Sequence, residues 1–181
     1  MKTVILFASS SWYLYNFQRE LIKELVKSDV NVVTLAEDKQ FYAELLDLGS
    51  KHFTMCLKGK TKDIMSNVKV IWQLKTFFQK FDAIILSFTP KPNILGGIAA
   101  YLASRHCILN YSGFGRGINT TFFHRFIIRA LYAITPYLAD HCFVQNRENL
   151  LAIQKFAISK SKISLLPGSG VSLQRYKYIP V

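Results

Sequence analysis

Short runs of β-branched and aromatic residues alternate along this chain with longer stretches that carry apolar residues at helical spacing. Most of the short runs are apolar on both faces, which is typical of central strands in a parallel sheet. The alternation therefore predicts an α/β domain with a doubly wound, mainly parallel sheet of about seven strands flanked by helices. The predicted strands are Thr3–Ala8, Asn31–Ala36, His52–Leu57, Ala83–Ser87, Cys107–Tyr111, His141–Gln145 and Ile163–Leu166.

Helices are predicted between these strands, and several of their ends carry a specific signal. Gly49 can take a positive φ just after a helix, and Asn146 can cap the helix that follows it. Pro92 fits a first helical turn, whereas Pro136 should kink or stop a long basic helix near Ile134. The predicted helices are Tyr13–Lys27, Lys39–Leu48, Lys62–Gln79, Pro92–Ser104, Thr120–Ala139 and Arg147–Ala157.

Length and composition favour one domain with a large core and a basic surface. Of 181 residues, 50% are hydrophobic and 19% are charged, which excludes a disordered chain. The 23 Lys and Arg against 11 Asp and Glu give a net charge of +12, which attracts phosphates, anionic lipid or nucleic acid without selecting among them. The segment Phe122–Arg129 mixes aromatic and basic residues, as in a membrane interface or a core-facing helix with a solvated basic edge.

The cysteines and the first residues bear on the compartment. Cys56, Cys107 and Cys142 are odd in number and far apart, so neither a disulfide framework nor a metal site is indicated. We expect them to be reduced core residues of a cytosolic protein. The first apolar run is too short for a signal peptide, and no later stretch has the length and hydrophobicity of a membrane span. We therefore expect a cytoplasmic protein that touches a membrane at its periphery at most.

Ligands of open α/β sheets bind beyond the carboxyl ends of the strands, so the loops after the strands are candidate sites. After the first strand, Ser9, Ser10 and Ser11 precede a helix that carries Asn16 in its opening turns. Hydroxyl groups at such a position offer donors to an anion or a sugar, and they also suit an ordinary serine N-cap.

The loop after the fourth strand is stiff and carries one cation. Pro90 and Pro92 flank Lys91 at the mouth of the sheet, between Thr89 and Asn93. The following helix contains the pair 96–97, both glycines, which cost helix stability and predict that another element packs very close there.

Two further loops are rich in glycine. Gly113, Gly115 and Gly117 alternate around Arg116 after the fifth strand, so a backbone can approach a ligand while the guanidinium clamps a phosphate. The spacing differs from the dinucleotide fingerprint, because the third glycine falls one place early and no acidic residue follows as that motif requires. The last loop, Pro167–Val171, suits a tight corner or the approach of a ligand.

In this order the loops resemble the N-terminal domain of family 4 glycosyltransferases, especially the subgroup that extends capsule, O-antigen or protein-glycan precursors. Ser87–Asn93 resembles the subgroup's Thr-x-Lys-Pro-Asn loop, and Asn110–Gly115 resembles its Thr-x-x-Gly-Leu-Gly loop. Phe143–Asn146 and Leu166–Val171 are similar to its sixth-strand end and its domain-closing loop. The resemblance runs over residues 1–176, and residues 177–181 match the start of an interdomain linker.

The resemblance implies a Rossmann-like, acceptor-binding half of a GT-B enzyme, whose donor-binding C-terminal half is absent. It implies transfer of a sugar, with retention and without metal, from a nucleotide sugar as donor substrate to a lipid-linked or other glycan in surface polysaccharide synthesis. A histidine of other branches is replaced by Ser112, which leaves the catalytic base unassigned. The expected acceptor-binding residues are Ser10, Ser11, Asn16, Thr89, Lys91, Asn93, Ser112, Gly113, Gly115 and Arg116.

The expected partners are the glycan acceptor, a separately encoded C-terminal half and the surface of an anionic membrane, but no nucleic acid. Other functions remain as alternatives: a basic α/β module for nucleic acid or membrane would fit the net charge, although the charges are scattered over several elements. A truncated, inactive remnant of a transferase also fits. A nucleotide-binding oxidoreductase is disfavoured, because Ser9, Ser10 and Ser11 occupy the place of the glycine fingerprint.

Overall fold

The computed structural model of the chain describes residues 2–57, 64–113, 130, 133–156, 162–168 and 170. Seven strands form one sheet in the order β3-β2-β1-β4-β5-β6-β7, and every neighbouring pair is parallel. The predicted doubly wound, Rossmann-like sheet is therefore confirmed. The strands are β1 (Thr3–Phe7), β2 (Asn31–Ala36), β3 (Lys51–Thr54), β4 (Ala83–Phe88), β5 (Cys107–Tyr111), β6 (His141–Val144) and β7 (Ile163–Leu165).

Helices connect the strands on both faces of the sheet. The predicted helix Tyr13–Lys27 is two helices, because the backbone of Gln18 leaves the helical region with φ −113° and ψ 4°. Residues 133–138 are helical, so Pro136 does not stop a helix at Ile134; residues 120–129 of that predicted helix lie outside the described residues. The helices are α1 (Ser11–Phe17), α2 (Arg19–Lys27), α3 (Tyr42–Asp47), α4 (Ile64–Gln79), α5 (Pro90–Leu102) and α6 (Arg147–Phe156).

Two of the predicted helix ends are confirmed by their hydrogen bonds. Gly49 has φ +89° after α3, and the amides of Gly49 and Ser50 bond back to the carbonyls of Leu46 and Leu45 at 2.8 and 3.3 Å. The side-chain oxygen of Asn146 accepts a 2.7 Å hydrogen bond from the amide of the third residue of α6.

The central strand β1 shows how the core is divided. Ile5 and Phe7 point to one face, where they join a buried cluster that includes α4, α5 and the strands β4 to β7. Val4 and Leu6 point to the other face and pack with Leu14 and other residues of α1 to α3. A strand that is buried on both faces needs apolar residues at every position, which is why β1 has no polar alternation.

The glycine pair of α5 brings that helix close to its neighbours. A Cβ atom on Gly96 would lie 2.8 Å from Cδ1 of Phe7, and one on Gly97 would lie 2.7 Å from Cγ2 of Thr135. The predicted close packing is confirmed, because no side chain larger than hydrogen fits at either position without movement.

Two of the three cysteines are core residues, as predicted. Cys107 and Cys142 are free and buried on β5 and β6, and burial raises the pKa of both thiols, that of Cys142 to about 12. The prediction is wrong for Cys56, which is exposed. Strand β3 ends at Thr54, whereas the prediction extended it to Leu57, so Cys56 lies in the loop beyond β3.

Candidate functional site

The chain leaves the carboxyl ends of β1 and β4 towards opposite faces of the sheet. Helix α1 follows β1 and packs on one face, whereas α5 follows β4 and packs on the other. Such a divergence opens a crevice between adjacent strands, the usual ligand position in open α/β sheets. Across this crevice the amide of Ser9 donates a 3.1 Å hydrogen bond to the hydroxyl of Thr89, so the first and fourth loops of the sequence analysis meet there.

Thr89 has an unusual backbone. Its φ of +69° and ψ of 150° lie in a region that side chains other than glycine rarely adopt. The Thr89 carbonyl accepts from the amide of Asn93 at 3.0 Å and so begins α5, while the Thr89 hydroxyl is turned towards the first loop. This conformation directs the hydroxyl into the crevice instead of onto its own helix.

A chain of amide side chains continues the site across the next strands. Asn93 is fully buried, and its Nδ2 donates to the carbonyl of Asn110 at 2.8 Å. The Nε2 of Gln145 in turn donates to Oδ1 of Asn110 at 3.2 Å. Within the part of the chain that the structure describes, no group donates to the buried Oδ1 of Asn93. The carboxyl ends of β4, β5 and β6 are thus joined by side-chain amides.

The fifth loop is joined to α1 through a phenol. The phenol of Tyr13 lies close enough to the side chains of Ser112 and Gln18 for both to lower its pKa. Burial raises the pKa of Tyr13 by more than these two neighbours lower it, so Tyr13 is a neutral phenol at neutral pH. Ser112 itself is exposed, and an added Cβ on Gly113 would meet no atom within 4 Å, so the loop borders open space.

The predicted residues of the first loop have different surroundings. Ser10 is the N-cap of α1, because its hydroxyl accepts from the amide of Tyr13 at 3.2 Å. Ser11 is fully buried; its hydroxyl donates to the carboxylate of Asp38 and accepts from the amide of Phe41 at 3.1 Å. Ser11 can therefore act on a ligand only by holding the loop. Asn16 is half-buried and donates to a carbonyl one turn earlier at 2.9 Å.

Of the two predicted cations, only Lys91 lies among the described residues. Lys91 is half-buried at the start of α5, and its ammonium group donates to the carbonyl of Leu57, which follows β3. Lys91 thus ties the third loop to the fourth. Gly115 and Arg116 lie outside the described residues.

Several solved structures are similar to this chain in fold. HepE of Anabaena in complex with UDP and glucose superposes with a TM-score of 0.71 at 12% identity, over 99% of this chain and 47% of HepE. MurG of Acinetobacter baumannii gives 0.62 at 13% identity, over 97% of this chain and 48% of MurG. UDP-GlcNAc 2-epimerase of Methanocaldococcus jannaschii gives 0.63 at 14%, over 91% and 45%. The chain has the fold of a GT-B half-domain.

In sequence, the chain matches no protein-family model and no curated protein. Identities of 12–14% to the solved structures establish the fold and nothing finer. The chain spans about half the length of each of these three structures.

The site of this GT-B half-domain includes residues that the sequence analysis missed. Asp38 follows β2 and holds the first loop through the amide of Ser11, whose nitrogen lies 3.1 Å from its Oδ2. Burial raises the pKa of Asp38, but hydrogen bonds from Ser11 and Gln40 and the nearby His52 lower it more, so the pKa is below its ordinary value. The same rule of carboxyl-end loops, applied to the second strand, would have found Asp38.

Neither a metal cluster nor a membrane-spanning helix occurs among the described residues of the half-domain. Their His, Cys, Asp and Glu side chains form no group of three that could hold a metal ion. His52 is buried, with Nδ1 3.0 Å from the hydroxyl of Thr34 and Nε2 3.1 Å from the carbonyl of Asp38, so it supports the loop from below. None of the helices in the described ranges is both long and apolar enough to cross a bilayer.

Proposed function

We propose that this half-domain is the acceptor-binding half of a family 4 glycosyltransferase of the capsule, O-antigen or protein-glycan type. The reaction would move a sugar from a nucleotide sugar to a lipid-linked or other glycan in surface polysaccharide synthesis. The supporting observation is the convergence of three loops at one crevice: Ser9 contacts Thr89, Tyr13 contacts Ser112, and Asn93 contacts Asn110.

The groups at this crevice suit a sugar better than a metal or a redox cofactor. Thr89 and Ser112 carry hydroxyls and Tyr13 carries a neutral phenol, which can each donate to and accept from the hydroxyls of a sugar. The deeper amides of Asn93 and Asn110 fix the strand ends, so the polar groups above them are held in place before a ligand arrives.

Two cations would bind the diphosphate end of the acceptor. Lys91 lies in the first turn of α5, after β4, and Arg116 follows β5 in the sequence. A diphosphate that links a glycan to its lipid is the group that such cations bind. Catalysis then rests on orienting the acceptor hydroxyl and on stabilising the departing nucleoside diphosphate. The second task belongs to the donor-binding half, supplied by a further domain or by a separately encoded chain.

This proposal defines the partners and the place of the reaction. The nucleotide sugar is the donor substrate, and no metal or other cofactor takes part. The enzyme works in the cytoplasm, at the inner face of an anionic membrane, and it does not bind nucleic acid.

A binding experiment tests the proposal on the chain itself. The probes are UDP-glucose and a water-soluble, short-chain polyprenyl diphosphate disaccharide, titrated into isotope-labelled protein and followed by NMR. We expect the glycolipid to shift the amide resonances of Ser10, Ser112 and Gly113, and UDP-glucose to shift them far less. Shifts with UDP-glucose alone would contradict the assignment of an acceptor half.

Charge removal sharpens this test. Lys91→Ala combined with Arg116→Ala should weaken binding of the glycolipid by roughly a hundredfold, since each cation-phosphate hydrogen bond contributes roughly 1.5 kcal/mol. Lys23→Ala with Lys27→Ala removes the same charge on α2 and serves as the matched control. Equal affinities of the two double variants would remove the diphosphate from the proposal. The same variants, combined with a donor half, should show weaker acceptor use in the transfer reaction.

A further inference from the structure

Helix α1 exposes two aromatic rings in mutual contact. Trp12 and Phe17 are 47% and 49% exposed, whereas Leu14 of the same helix is fully buried in the core. The two rings meet edge to face, with their centroids 5.4 Å apart and their planes at 75°. This contact restricts both side chains, so the exposed ring faces keep a fixed position. A contiguous exposed patch of this kind marks a surface that binds a ligand or a partner.

A row of ring contacts connects this pair to the floor of the crevice. The centroid of Phe17 lies 5.1 Å from that of Tyr13, and the centroid of Tyr13 lies 6.1 Å from that of Phe88. Phe88 is buried at the end of β4, immediately before Thr89. The phenol of Tyr13 is also close to Ser112. The exposed pair is therefore continuous, through Tyr13, with the hydroxyl groups of the crevice.

The pair lies on an uncharged part of a strongly basic chain. Residues 10–18 include no Asp, Glu, Lys, Arg or His, although the whole chain carries a net charge of +12. The first charged residue of α2, Arg19, has its guanidinium carbon 5.2 Å from the ring centroid of Tyr15 and its Nε 3.9 Å from Glu20. An anionic ligand therefore finds no countercharge on α1, and an uncharged ligand suits this surface better.

A pyranose ring is an uncharged group that matches both parts of the surface. Its ring carbons present a face of C–H groups, which packs on an aromatic ring through dispersion and through burial of apolar area. Its edge carries hydroxyl groups, which pair with protein hydroxyls and with a neutral phenol. The ligand and the surface thus share one arrangement, with an apolar face beside a polar edge.

We propose that Trp12 and Phe17 form a stacking platform for a pyranose ring of the acceptor glycan. The apolar face of the sugar lies on the two rings, and its hydroxyl edge is turned towards Tyr13 and Ser112. The platform selects sugars with an unbroken C–H face, because an axial hydroxyl pressed against a ring loses its water without gaining a hydrogen bond. That the sugar belongs to an acceptor rests on the proposed function, whereas the platform itself requires only a sugar.

Two other ligands fit this surface less well. A nucleotide base would stack on the same rings, but its phosphate would find no cation on α1. A second copy of the chain would need about 800 Å² from each partner, far more than two half-exposed rings supply. A nucleotide ligand predicts a response to uridine monophosphate, and a second copy predicts dimers in solution.

Fluorescence of Trp12 tests the platform with simple sugars. The chain has two tryptophans, so Trp72→Phe leaves Trp12 as the sole reporter. Methyl β-glucopyranoside, whose ring hydroxyls are all equatorial, should change the Trp12 emission with a dissociation constant on the order of 1 mM or weaker. The disaccharide of the glycolipid probe, freed of its lipid diphosphate, should act in the same way. Glucitol carries hydroxyl groups on an open chain without a ring face, and it should have far less effect.

Variants at the platform test its part in binding the glycolipid probe. Trp12→Ala should weaken that binding by about tenfold, the size of one lost aromatic contact with its buried area. Trp12→Phe keeps a ring and should retain most of the affinity, which a purely structural role of the indole does not predict. Trp72→Ala removes a tryptophan that is 56% exposed on α4, and as the matched control it should leave the affinity unchanged. Circular dichroism checks that each variant is folded.

The platform and the proposed function can fail separately. Glycolipid binding that Trp12→Ala leaves unchanged would refute the platform and leave the acceptor half intact. A response of Trp12 to the free sugars without binding of the glycolipid would refute the acceptor half and leave the platform. The platform is also refuted by an equal response to glucitol and the glucoside, by no response to either free sugar, by a stronger response to uridine monophosphate, or by dimers that Trp12→Ala abolishes.

Discussion

The amide of Ser9 donates a 3.1 Å hydrogen bond to the hydroxyl of Thr89, although 80 residues separate them in the chain. Thr89 accepts this bond from a backbone with φ +69°, a conformation that costs on the order of 1–3 kcal/mol in residues other than glycine. The bond and the strain occur at the crevice between β1 and β4. The two effects can be separated by mutation.

Thr89→Val keeps the shape of the side chain and removes the oxygen that accepts from Ser9. We expect it to lower the free energy of unfolding by about 1 kcal/mol, because the half-buried amide loses its partner. Thr89→Gly loses the same bond but relieves the strained φ, so it should be more stable than Thr89→Val by about 1 kcal/mol. Urea unfolding of the three proteins measures both differences. A glycine variant less stable than the valine variant would show that the backbone is not strained.

The contact between Gly97 and Thr135 predicts a specific rescue. Gly97→Ala should destabilise the fold by about 1 kcal/mol, because overpacking outweighs the better helix propensity of alanine. Thr135→Ser removes the Cγ2 atom that the new Cβ would meet at 2.7 Å. Gly97→Ala with Thr135→Ser should then be at least as stable as Thr135→Ser alone, in a double-mutant cycle of unfolding free energies. Additive effects would contradict the contact. Gly113→Ala is the control and should be nearly neutral, since its Cβ meets open space.

Asp38 should make stability depend on pH in the acid range. Its pKa in the folded protein is below the ordinary value, so its contribution is complete above the unfolded pKa of about 3.9 and is lost as the pH falls towards the folded value. We therefore expect Asp38→Asn to destabilise the protein at pH 7 by more than at pH 3. Urea unfolding at both pH values measures the difference, with Ser11→Ala as a variant that lacks the main hydrogen bond. A pH-independent effect of Asp38→Asn would contradict a lowered pKa.

The three thiols should divide into one reactive and two protected groups. Cys56 is exposed, whereas burial raises the pKa of Cys107 and raises that of Cys142 to about 12. At pH 8 a thiol reagent should titrate one cysteine of the folded protein quickly and all three in urea. Cys56→Ser should abolish the fast reaction. A second fast thiol in that variant would mean that β5 or β6 opens readily.

The sheet could be predicted from sequence where burial alone decides the residue type. The bounds of β2 and β5 match the prediction, since both strands are mostly apolar and are flanked by polar or turn residues. The predicted range of edge strand β3 extended too far along the chain. Its exposed residues Lys51 and Phe53 do not differ in pattern from the loop that follows, so the pattern does not mark the end of the strand. The break at Gln18 has no glycine or proline nearby, so no local residue pattern indicates that one predicted helix is two.

The candidate site was predicted loop by loop, and its internal contacts were not. The carboxyl-end rule placed Ser10, Thr89 and Ser112 at one edge of the sheet, where the structure also has them. The bond between Ser11 and Asp38 joins residues 27 positions apart, and no spacing rule relates them. Such contacts depend on the distance between two folded loops, which periodicity and composition do not contain.

The strand order also has a consequence for synthesis on the ribosome. β1 pairs with β4 in a register that joins Thr3 to Ala83. One edge of β1 therefore stays unpaired until the ribosome has added a further 80 residues. At about 5–20 residues per second, this delay lasts roughly 4–16 s. During that time the nascent chain can hold only the β3-β2-β1 part of the sheet, with one backbone edge of β1 unpaired and the face of Ile5 and Phe7 not yet covered by α5. We expect a nascent chain stalled before residue 83 to bind chaperones more strongly than one stalled after β4 has emerged.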